Sequence, residues 1–395
     1  MRPFLLALGL LASLHAYAET FADVLNKAWL RLPEAQSQVH REIELNANRS
    51  AASGVFPAPP VVGLSERTDR FNDNAGAREY EAGISVPMWL PGEKTARQRL
   101  AVSEKERFTA AQSALRLQVA GELREAAWQI KLAENARARA QGRLASAQHT
   151  EADVVRRVKA GELARTDLLL VQGETLSAQD AAAVAGRELA LAQQVYERIV
   201  GDQILPAALV ETEPAAREVE SHPLLVLKRE RVGVARAKAQ LVSQTRRDNP
   251  EISIGVRRER ADSGERFGDT LVASLRIPLG TESRNAPRTA AAQADLTEAE
   301  VDYQRQRAAV EQNIQRARLE IDTVKQRLIL ARSRHALAQE NFQLIRKAFS
   351  LGEKSLFEFQ RTQAVLNEAA LEAGQTEIEL NRSYARLNQA MGVLP

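Results

Sequence analysis

The chain has 395 residues, 44% of them hydrophobic, 5% aromatic and 27% charged, a composition that argues against wholesale disorder and favours long helices and coiled coil. Its 54 basic and 51 acidic residues are spread along the sequence and give a formal net charge of +3, so no clustered basic surface points to a nucleic-acid partner. The absence of cysteine excludes a disulfide scaffold, a thiolate metal site and a lipid-modified N-terminal cysteine.

The N-terminal segment has the pattern of a secretory signal. Arg2 precedes an apolar run from Phe4 to Leu14, and Ala16-Tyr17-Ala18 offers a cleavage site before Glu19. A membrane anchor is the alternative, but it needs roughly 20 apolar residues and this run is shorter. We therefore expect residues 1–18 to be a signal peptide. No other stretch is apolar enough for a transmembrane helix, so the exported protein is either soluble or inserted as β-structure.

Two stretches make the same transition from strand to helix, namely AGISVPMWLPGEK (Ala82–Lys94) and VASLRIPLGTESR (Val272–Arg284). Superimposing them places Pro87 on Pro278, a shift of 191 residues (278 − 87). The same shift relates three further pairs: Gly161 and Gly352, Gln172 and Gln363, and Gly201 and Gly392. Four shared landmarks predict a tandem duplication, with repeats at 19–206 and 217–395 joined by a linker at 207–216.

Each repeat contains two segments in which apolar and polar residues alternate, which predicts strands. They lie near Val62–Ser65 and Tyr80–Val86 in the first repeat, and near Ile252–Arg257 and Thr270–Ile277 in the second. Four amphipathic strands cannot close a transmembrane barrel, because the smallest barrels have about eight strands. If the strands enter a membrane, several chains must contribute to one barrel.

The predicted strands run directly into helices. Pro87 and Pro278 stand at these junctions, where a missing N–H ends the strand ladder, and Gly92 and Gly280 follow them. Proline is absent between Gly92 and Leu205, as expected of long helices. After Arg288 a heptad seam predicts coiled-coil packing: Tyr303, Arg307, Val310, Ile314, Ala317, Ile321, Val324, Leu328, Ala331, His335, Ala338, Phe342, Ile345 and Phe349.

Glycines interrupt each long helical segment at one point. Gly161 and Gly352 can adopt the left-handed conformation that ends a helix. Thr166 and Ser355 are predicted to cap the returning helices, and Glu358 completes a capping box with Ser355. The two segments are therefore predicted to be helical hairpins, whose turns we call the first tip and the second tip.

The junctions VPMWLPGEKTAR and IPLGTESRNAPR and the tips GELARTDLLLVQ and GEKSLFEFQRTQ resemble those of the TolC-type outer-membrane efflux factors, over essentially the whole mature chain. WLPGEKTARQRLA is similar to the CzcC-like metal-efflux branch, whose junction often reads as a Gly-Lys-Arg element. In this sequence Glu93 stands between Gly92 and Lys94, and Thr95 and Ala96 separate the lysine from Arg97. The resemblance implies a mainly α protein with a β-barrel portion. Long coiled-coil hairpins form a periplasmic α-barrel, and four strands per chain contribute to a trimeric, 12-stranded transmembrane β-barrel.

The resemblance also implies a function and partners. The homotrimer would lie in outer-membrane lipid and passively conduct substrates, metal cations among them, out of the cell. Its tips would meet a periplasmic adaptor, or membrane fusion protein, coupled to an inner-membrane pump of the resistance-nodulation-division type. Docking and gating would fall to these tip residues: Gly161, Thr166, Asp167, Gly352, Ser355 and Glu358. Asp167 and Glu358 would supply six carboxylates that favour cations, or they are first-turn acids that complement the helix dipole.

Other functional classes find less support in the sequence. The histidines lack metal-ligand spacing, and no catalytic triad, phosphate-binding loop or paired catalytic carboxylate is present, so we expect neither a metal site, a cofactor nor an enzyme. A soluble periplasmic coiled-coil adaptor or a chaperone-like binding protein is the alternative. Two matched strand pairs between long helices favour the channel.

Overall fold

The computed structural model describes residues 19–395, so the predicted signal peptide lies outside the described part. Seven α-helices and four strands follow one another within it. They are α1 (Phe21–Leu30), α2 (Pro33–Ser53), β1 (Val61–Thr68), β2 (Arg78–Pro87), α3 (Glu93–Lys159), α4 (Arg165–Val200), α5 (Pro223–Gln244), β3 (Glu251–Arg260), β4 (Gly268–Arg276), α6 (Glu282–Ser350) and α7 (Leu356–Ala390). The order helix, two strands, two long helices occurs twice, as the duplication predicts. The exact boundaries of the repeats stay a prediction.

The four strands form one antiparallel sheet in the order β1-β2-β3-β4. The register aligns Gly63 with Gly83 and Gly83 with Gly255 across three strands. At Gly255 a Cβ would lie 2.7 Å from the carbonyl oxygen of Ala82, so this close backbone approach requires glycine. Within residues 19–395, β1 and β4 have no neighbouring strand on their outer sides, and they are the open edges of the sheet.

Alternation along the strands separates two faces of the sheet. The apolar face carries Val62, Leu64, Tyr80, Ala82, Ile84, Val86, Ile252, Ile254, Val256, Leu271, Ala273 and Leu275. The polar face carries Ser65, Glu79, Glu81, Ser85, Ser253, Arg257, Glu259 and Ser274. Ile254 and Val256 remain about half exposed, so this chain alone does not cover the apolar face.

Helices α3 and α6 have 67 and 69 residues. Burial confirms the middle of the predicted seam on α6: Val310, Ile314, Ala317, Ile321, Val324, Leu328, Ala331 and Ala338 are all buried. His335 is half-buried in this seam. None of the helices described within residues 19–395 has an apolar stretch long enough to cross a membrane.

The chain divides into two compact units that cut across the two repeats. The first unit contains the described residues up to Leu32 together with Gln118–Ala215 and Ile314–Pro395, and the second contains Pro33–Leu117 and Ala216–Asn313. The sheet and both strand-to-helix junctions belong to the second unit. Both tips belong to the first.

A buried arginine organises the core of the first unit. The guanidinium of Arg124, on α3, donates two hydrogen bonds of 2.7 Å to Glu211 and one of 2.7 Å to Gln389. It also donates to the carbonyl of Val393 at 3.0 Å. These hydrogen bonds connect α3 to Glu211 in the predicted linker and to the C-terminal segment. A buried guanidinium needs such acceptors for its N–H groups.

Candidate functional site

The first junction begins at the end of β2. Pro87 is the last residue of β2, and the next residue, Met88, donates its N–H to the carbonyl of Pro250 at 2.7 Å. The indole Nε1 of Trp89 donates to the carbonyl of Val55 at 3.0 Å. The chain thus leaves the sheet with these polar groups hydrogen-bonded to neighbouring segments, and the role of Pro87 in ending the strand ladder stays a prediction.

A buried carboxylate holds this junction together. Glu93, the first residue of α3, is 0% exposed. It accepts hydrogen bonds from the Leu90 N–H at 3.1 Å, from Asn249 Nδ2 at 2.5 Å and from Arg97 Nε at 3.0 Å. The Arg97 guanidinium also lies over the Trp89 ring, 5.4 Å from its centroid. The residue that interrupts the Gly-Lys-Arg element is therefore the structural centre of the junction, a role that sequence analysis missed.

The two junction glycines are required for different reasons. Gly92 has φ +80°, and a Cβ there would lie 2.9 Å from Gln244 Oε1. A Cβ at Gly280 would clash with the carbonyl oxygen of Arg246, which also accepts a 2.5 Å hydrogen bond from Asn285. At Gly92 the left-handed φ requires glycine, because the flexible Gln244 side chain can move aside, whereas at Gly280 the clash is with the backbone.

The ion pair at the second junction is exposed, whereas the carboxylate at the first junction is buried. Strand β4 ends at Arg276, two residues before Pro278. Near the start of α6, Arg284 donates two hydrogen bonds, of 3.0 and 3.1 Å, to the carboxylate of Asp248. Both side chains are more than half exposed. This surface pair ties α6 to the segment before β3, but it is screened by solvent.

The two tips have the same backbone. Gly161 and Gly352 have φ +80° and +77°, the left-handed values that the sequence predicted. The same two hydrogen bonds close each turn: Gly161 N–H to Val158 O at 3.1 Å and Glu162 N–H to Arg157 O at 2.9 Å in the first tip, and Gly352 N–H to Phe349 O at 3.1 Å and Glu353 N–H to Ala348 O at 2.9 Å in the second. These are Schellman turns, and the shift of 191 residues relates them atom for atom.

The cap predicted at Thr166 is wrong. Helix α4 begins at Arg165, so Ala164 is the N-cap and Thr166 is already the second helical residue. The carboxylate of Asp167 accepts the Ala164 N–H at 3.1 Å, which is the reciprocal half of a capping box. Alanine has no side-chain oxygen for the other half.

The second tip has the complete capping box that was predicted. Ser355 Oγ accepts the Glu358 N–H at 3.3 Å, and the Glu358 carboxylate accepts the Ser355 N–H at 3.2 Å. Lys354 donates to Glu358 at 2.8 Å, and this hydrogen bond, followed by that from Ser355, holds the pKa of Glu358 below its ordinary value. Both tip carboxylates therefore serve their own helix starts, and a joint ring of carboxylates stays a prediction.

A single apolar cluster lies between the tips. Its buried members are Val154, Val171, Phe349, Leu356 and Phe359. Phe359 stacks on Phe349 with ring centroids 5.0 Å apart and contacts Phe342 at 5.6 Å. The guanidinium of Arg157 lies 5.1 Å from the centroid of Phe349. The turns that contain the two tip glycines are therefore next to one apolar cluster. The contribution of Phe359 to this cluster was not predicted from the sequence.

The candidate site residues therefore form two groups, one at the junctions and one at the tips, and each group is described within its own compact unit. In the part of the chain that the structure describes, no group of three or more histidine, aspartate and glutamate side chains is arranged to hold a metal ion.

Comparison with known proteins identifies the fold. Residues 225–393 match the family described as outer membrane efflux protein, so most of the second repeat carries the pattern of that family. No curated protein matches the chain. Solved structures match across nearly its whole length, which confirms the predicted fold class: long helical hairpins with four strands per chain, as in TolC-type channels.

Three of these structures illustrate the similarity. The transmembrane channel CusC is 14% identical, with a TM-score of 0.78 over 95% of this chain and 92% of CusC. The Campylobacter jejuni outer membrane channel CmeC is 12% identical, with a TM-score of 0.74 over 94% and 85%. The Vibrio cholerae outer membrane protein VceC is 13% identical, with a TM-score of 0.74 over 94% and 96%.

Proposed function

We propose that this chain is the outer-membrane channel subunit of a tripartite efflux system and that it passively conducts substrates out of the cell. One observation carries the proposal: an amphipathic four-stranded sheet with two open edges continues directly into long helical hairpins. A sheet edge in lipid would leave N–H and C=O groups unsatisfied. The edges therefore need partners, and further copies of the same chain supply them.

The proposed assembly is a homotrimer in which β4 of one copy pairs with β1 of the next. The strand order β1-β2-β3-β4 is antiparallel throughout, so β4 and a neighbouring β1 also run antiparallel, and three copies make twelve strands. The apolar face would contact outer-membrane lipid and the polar face would line the pore. Residues 1–18 would direct export and be removed.

The lack of native cysteine allows a direct test by crosslinking. Double variants would combine Ser65→Cys on β1 with Val272→Cys or Ser274→Cys on β4, because a disulfide needs Cα atoms within about 7 Å. We expect outer-membrane fractions, oxidised and then denatured, to give a ladder of covalent species that ends at three chains. The control combines Ser85→Cys, on the central strand β2, with Val272→Cys and should give no ladder.

Fractionation tests the same proposal against its rival. Recovery in the soluble periplasm without detergent would support a soluble adaptor or chaperone-like protein instead. A ladder that passes three chains would overturn the trimer but retain the shared barrel.

The proposed partners are a periplasmic adaptor at the tips and, through it, an inner-membrane pump of the resistance-nodulation-division type. Large apolar side chains stay exposed at both tips, including Leu169, Leu351 and Phe357. Exposed apolar groups next to rigid turns are suited to bind another protein. Thr166, Asp167 and Glu358 lie on the same turns and are proposed to share in docking and gating.

Metal cations are the cargo that the CzcC-like junction favours. Glu93 is buried and satisfied by hydrogen bonds, so the junction itself is not where a cargo cation would bind. The test is a host that lacks its own channel but retains a metal pump and adaptor. Restored resistance to zinc, cobalt or copper would support metal cargo, whereas resistance restored only to organic compounds would contradict it.

A further inference from the structure

Three arginines lie together on the apolar face of the sheet, at the end nearest the loops that follow β1 and β3. Arg78 pairs with Arg260 and Tyr80 pairs with Arg258 in the β2-β3 register, so these four side chains project from the same face as Ile84 and Ile254. We call Arg78, Arg258 and Arg260 the arginine cluster. Its members lie on the two central strands, away from the open edges.

Aromatic side chains contact the arginine cluster. The Phe267 ring lies under two guanidinium groups, 5.4 Å from that of Arg258 and 4.9 Å from that of Arg260. Tyr80 contacts Phe267 at a centroid distance of 6.1 Å. Stacking on a ring face occupies the plane of a guanidinium and leaves its N–H groups at the edge available to an acceptor.

The loops next to the arginine cluster are held in place by hydrogen bonds. The carboxylate of Asp69 accepts the N–H groups of Gly76 and Ala77 at 2.9 and 3.1 Å. The N–H of Ser263 donates to the carbonyl of Ala75 at 3.1 Å and connects the two loops. Arg260 donates to the carbonyl of Gly76 at 3.1 Å. These hydrogen bonds therefore fix the two loops and the side chain of Arg260.

The charges of the three arginines are compensated unevenly. Arg78 interacts electrostatically with the carboxylates of Glu66 and Asp69, and Asp269 lies at the level of Arg258 on the same face. Arg258 is the most exposed of the three, with 61% of its side chain accessible, and its nearest carboxylate oxygen, on Asp269, lies 3.8 Å away. That distance is too long for a hydrogen bond. The exposed guanidinium of Arg258 can therefore donate to an anionic ligand with several oxygens.

Exposed apolar residues border the cluster directly. The level of Arg258 on this face also contains Glu66, Tyr80 and Asp269. Two positions further along each strand, roughly 6.6 Å away, the same face carries Leu64, Ala82, Val256 and Leu271. Leu64 is 80% exposed and Leu271 is 73% exposed. A concave region of about 680 Å³ crosses the boundary, and its lining includes Leu64, Val256 and Arg258 together with the carboxylates of Glu66, Glu81 and Asp269. A ligand whose anionic head binds Arg258 and Arg260 would therefore place an apolar body against this face.

We propose that the arginine cluster binds the phosphate groups of a phosphorylated, acylated glycolipid in the outer leaflet, with the acyl chains against the apolar face. Guanidinium and phosphate form paired, charge-assisted hydrogen bonds, which a zwitterionic or uncharged headgroup reproduces less well. The inference rests on the proposed function, because it needs the apolar face to contact lipid. It adds a specific lipid class and the residues that select it.

The test compares lipids and sheet faces. The trimer, purified in non-ionic detergent, would be titrated with a bisphosphorylated, acylated glucosamine disaccharide, and bound lipid would be counted by native mass spectrometry. We expect Arg258→Gln with Arg260→Gln to weaken binding roughly 30-fold, because each basic residue near an anionic lipid surface contributes roughly a factor of five. The matched control, Arg67→Gln with Arg276→Gln, removes two exposed arginines from the polar face and should bind as the wild type does.

Further arms separate the possible outcomes. Arg258→Lys with Arg260→Lys keeps the charge and should retain part of the affinity, so it reports on binding even if the glutamine variant assembles poorly. The dephosphorylated lipid should bind the wild type and the glutamine variant alike. Equal losses in the polar-face control, or displacement by inorganic phosphate at the same concentration as the lipid, would overturn the proposal. Failure of the proposed function would appear differently, as protein that needs no detergent.

Discussion

The two repeats have the same backbone at their tips, whereas their junctions differ. The tip glycines have φ values of +80° and +77° and identical turn hydrogen bonds. At the junctions, by contrast, the counterpart of buried Glu93 is Arg284 (284 − 93 = 191), which is exposed. The equivalent tip turns therefore keep one backbone conformation, whereas the side chains at the junctions fit different surroundings. Substitutions at paired positions therefore reveal which half depends more on a given contact.

The largest expected effect is at the first junction. Glu93→Ala would leave the Leu90 N–H and Asn249 Nδ2 without this acceptor in a buried site, at a cost of about 3 kcal/mol in the free energy of unfolding. The counterpart Arg284→Ala removes a surface ion pair and should cost less than about 1 kcal/mol. Thermal unfolding of both detergent-solubilised variants measures the difference, and equal losses would show that burial at Glu93 is not decisive. Glu93→Gln keeps one acceptor and should fall between them.

The tips provide the next contrast. Phe359 fills the apolar cluster against two other phenylalanines, and its counterpart in the first repeat (359 − 191) is the partly buried Leu168. We expect Phe359→Ala to lower the free energy of unfolding by about 3 kcal/mol, because the cavity it leaves is large. Leu168→Ala should lower it by about 2 kcal/mol. Protease cleavage within the tips, followed over time, would report the loss locally. If the leucine variant is cleaved faster, the cluster is not centred on the second tip.

The tip glycines should behave alike, because their conformations are the same. Gly161→Val and Gly352→Val each force a β-branched residue into the left-handed region, at a cost of about 1–2 kcal/mol. No other atoms lie within 4 Å of the position that a Cβ would take in either turn, so the effect is conformational rather than a clash. Trimer yield should stay near that of the wild type while adaptor binding, measured by co-purification, weakens in both variants. Parallel loss of trimer and adaptor binding would assign these turns to folding rather than docking.

Sequence reasoning succeeded where a local rule decides the structure. The strands, the seam of α6 and the tip turns follow from periodicity and from glycine, and the structure confirms them. It failed where the answer depends on distant residues. The burial of Glu93 requires Asn249, which lies 156 residues away, and no local pattern predicts that contact. Thr166 has the favoured residue type for a cap, but the preceding Schellman turn starts α4 two residues too early for it to serve.

A pH-dependent contrast comes from a carboxylate on α3 that only the first repeat has. Glu125 binds Arg382 and Arg386 on α7, and its counterpart (125 + 191) is Arg316. Burial alone would raise the pKa of Glu125, but its hydrogen bonds to the two arginines outweigh burial and lower the pKa below 4.5. A carboxylate whose pKa is lower in the folded protein stabilises the fold at pH values above its pKa in the unfolded chain. This stabilisation is lost as the pH falls through its pKa in the folded protein. Glu125→Gln should therefore cost about 1 kcal/mol at pH 7, a cost reduced for solvent screening.

The measurement for Glu125 is the difference in unfolding midpoint between wild type and variant across pH. It should be constant above about pH 6 and shrink below about pH 4. A difference that grows on acidification would mean that the carboxylate is destabilising in the folded protein.

The smallest expected effect would restore the symmetry of the tips. Ala164 occupies the N-cap position that Ser355 occupies in the second tip (355 − 164 = 191), and the Asp167 carboxylate already supplies the reciprocal hydrogen bond. Ala164→Ser should therefore complete a capping box and stabilise the protein by about 0.5–1 kcal/mol, since its extended backbone, with φ −80° and ψ 157°, is already that of a cap. Ser355→Ala should cost a similar amount. Unfolding midpoints of the two single variants and of the double variant measure both effects. Because the two caps lie on separate helix starts, the double variant should return close to the wild-type midpoint, and a deviation well beyond the sum of the single effects would show that the caps are coupled through the apolar cluster between the tips.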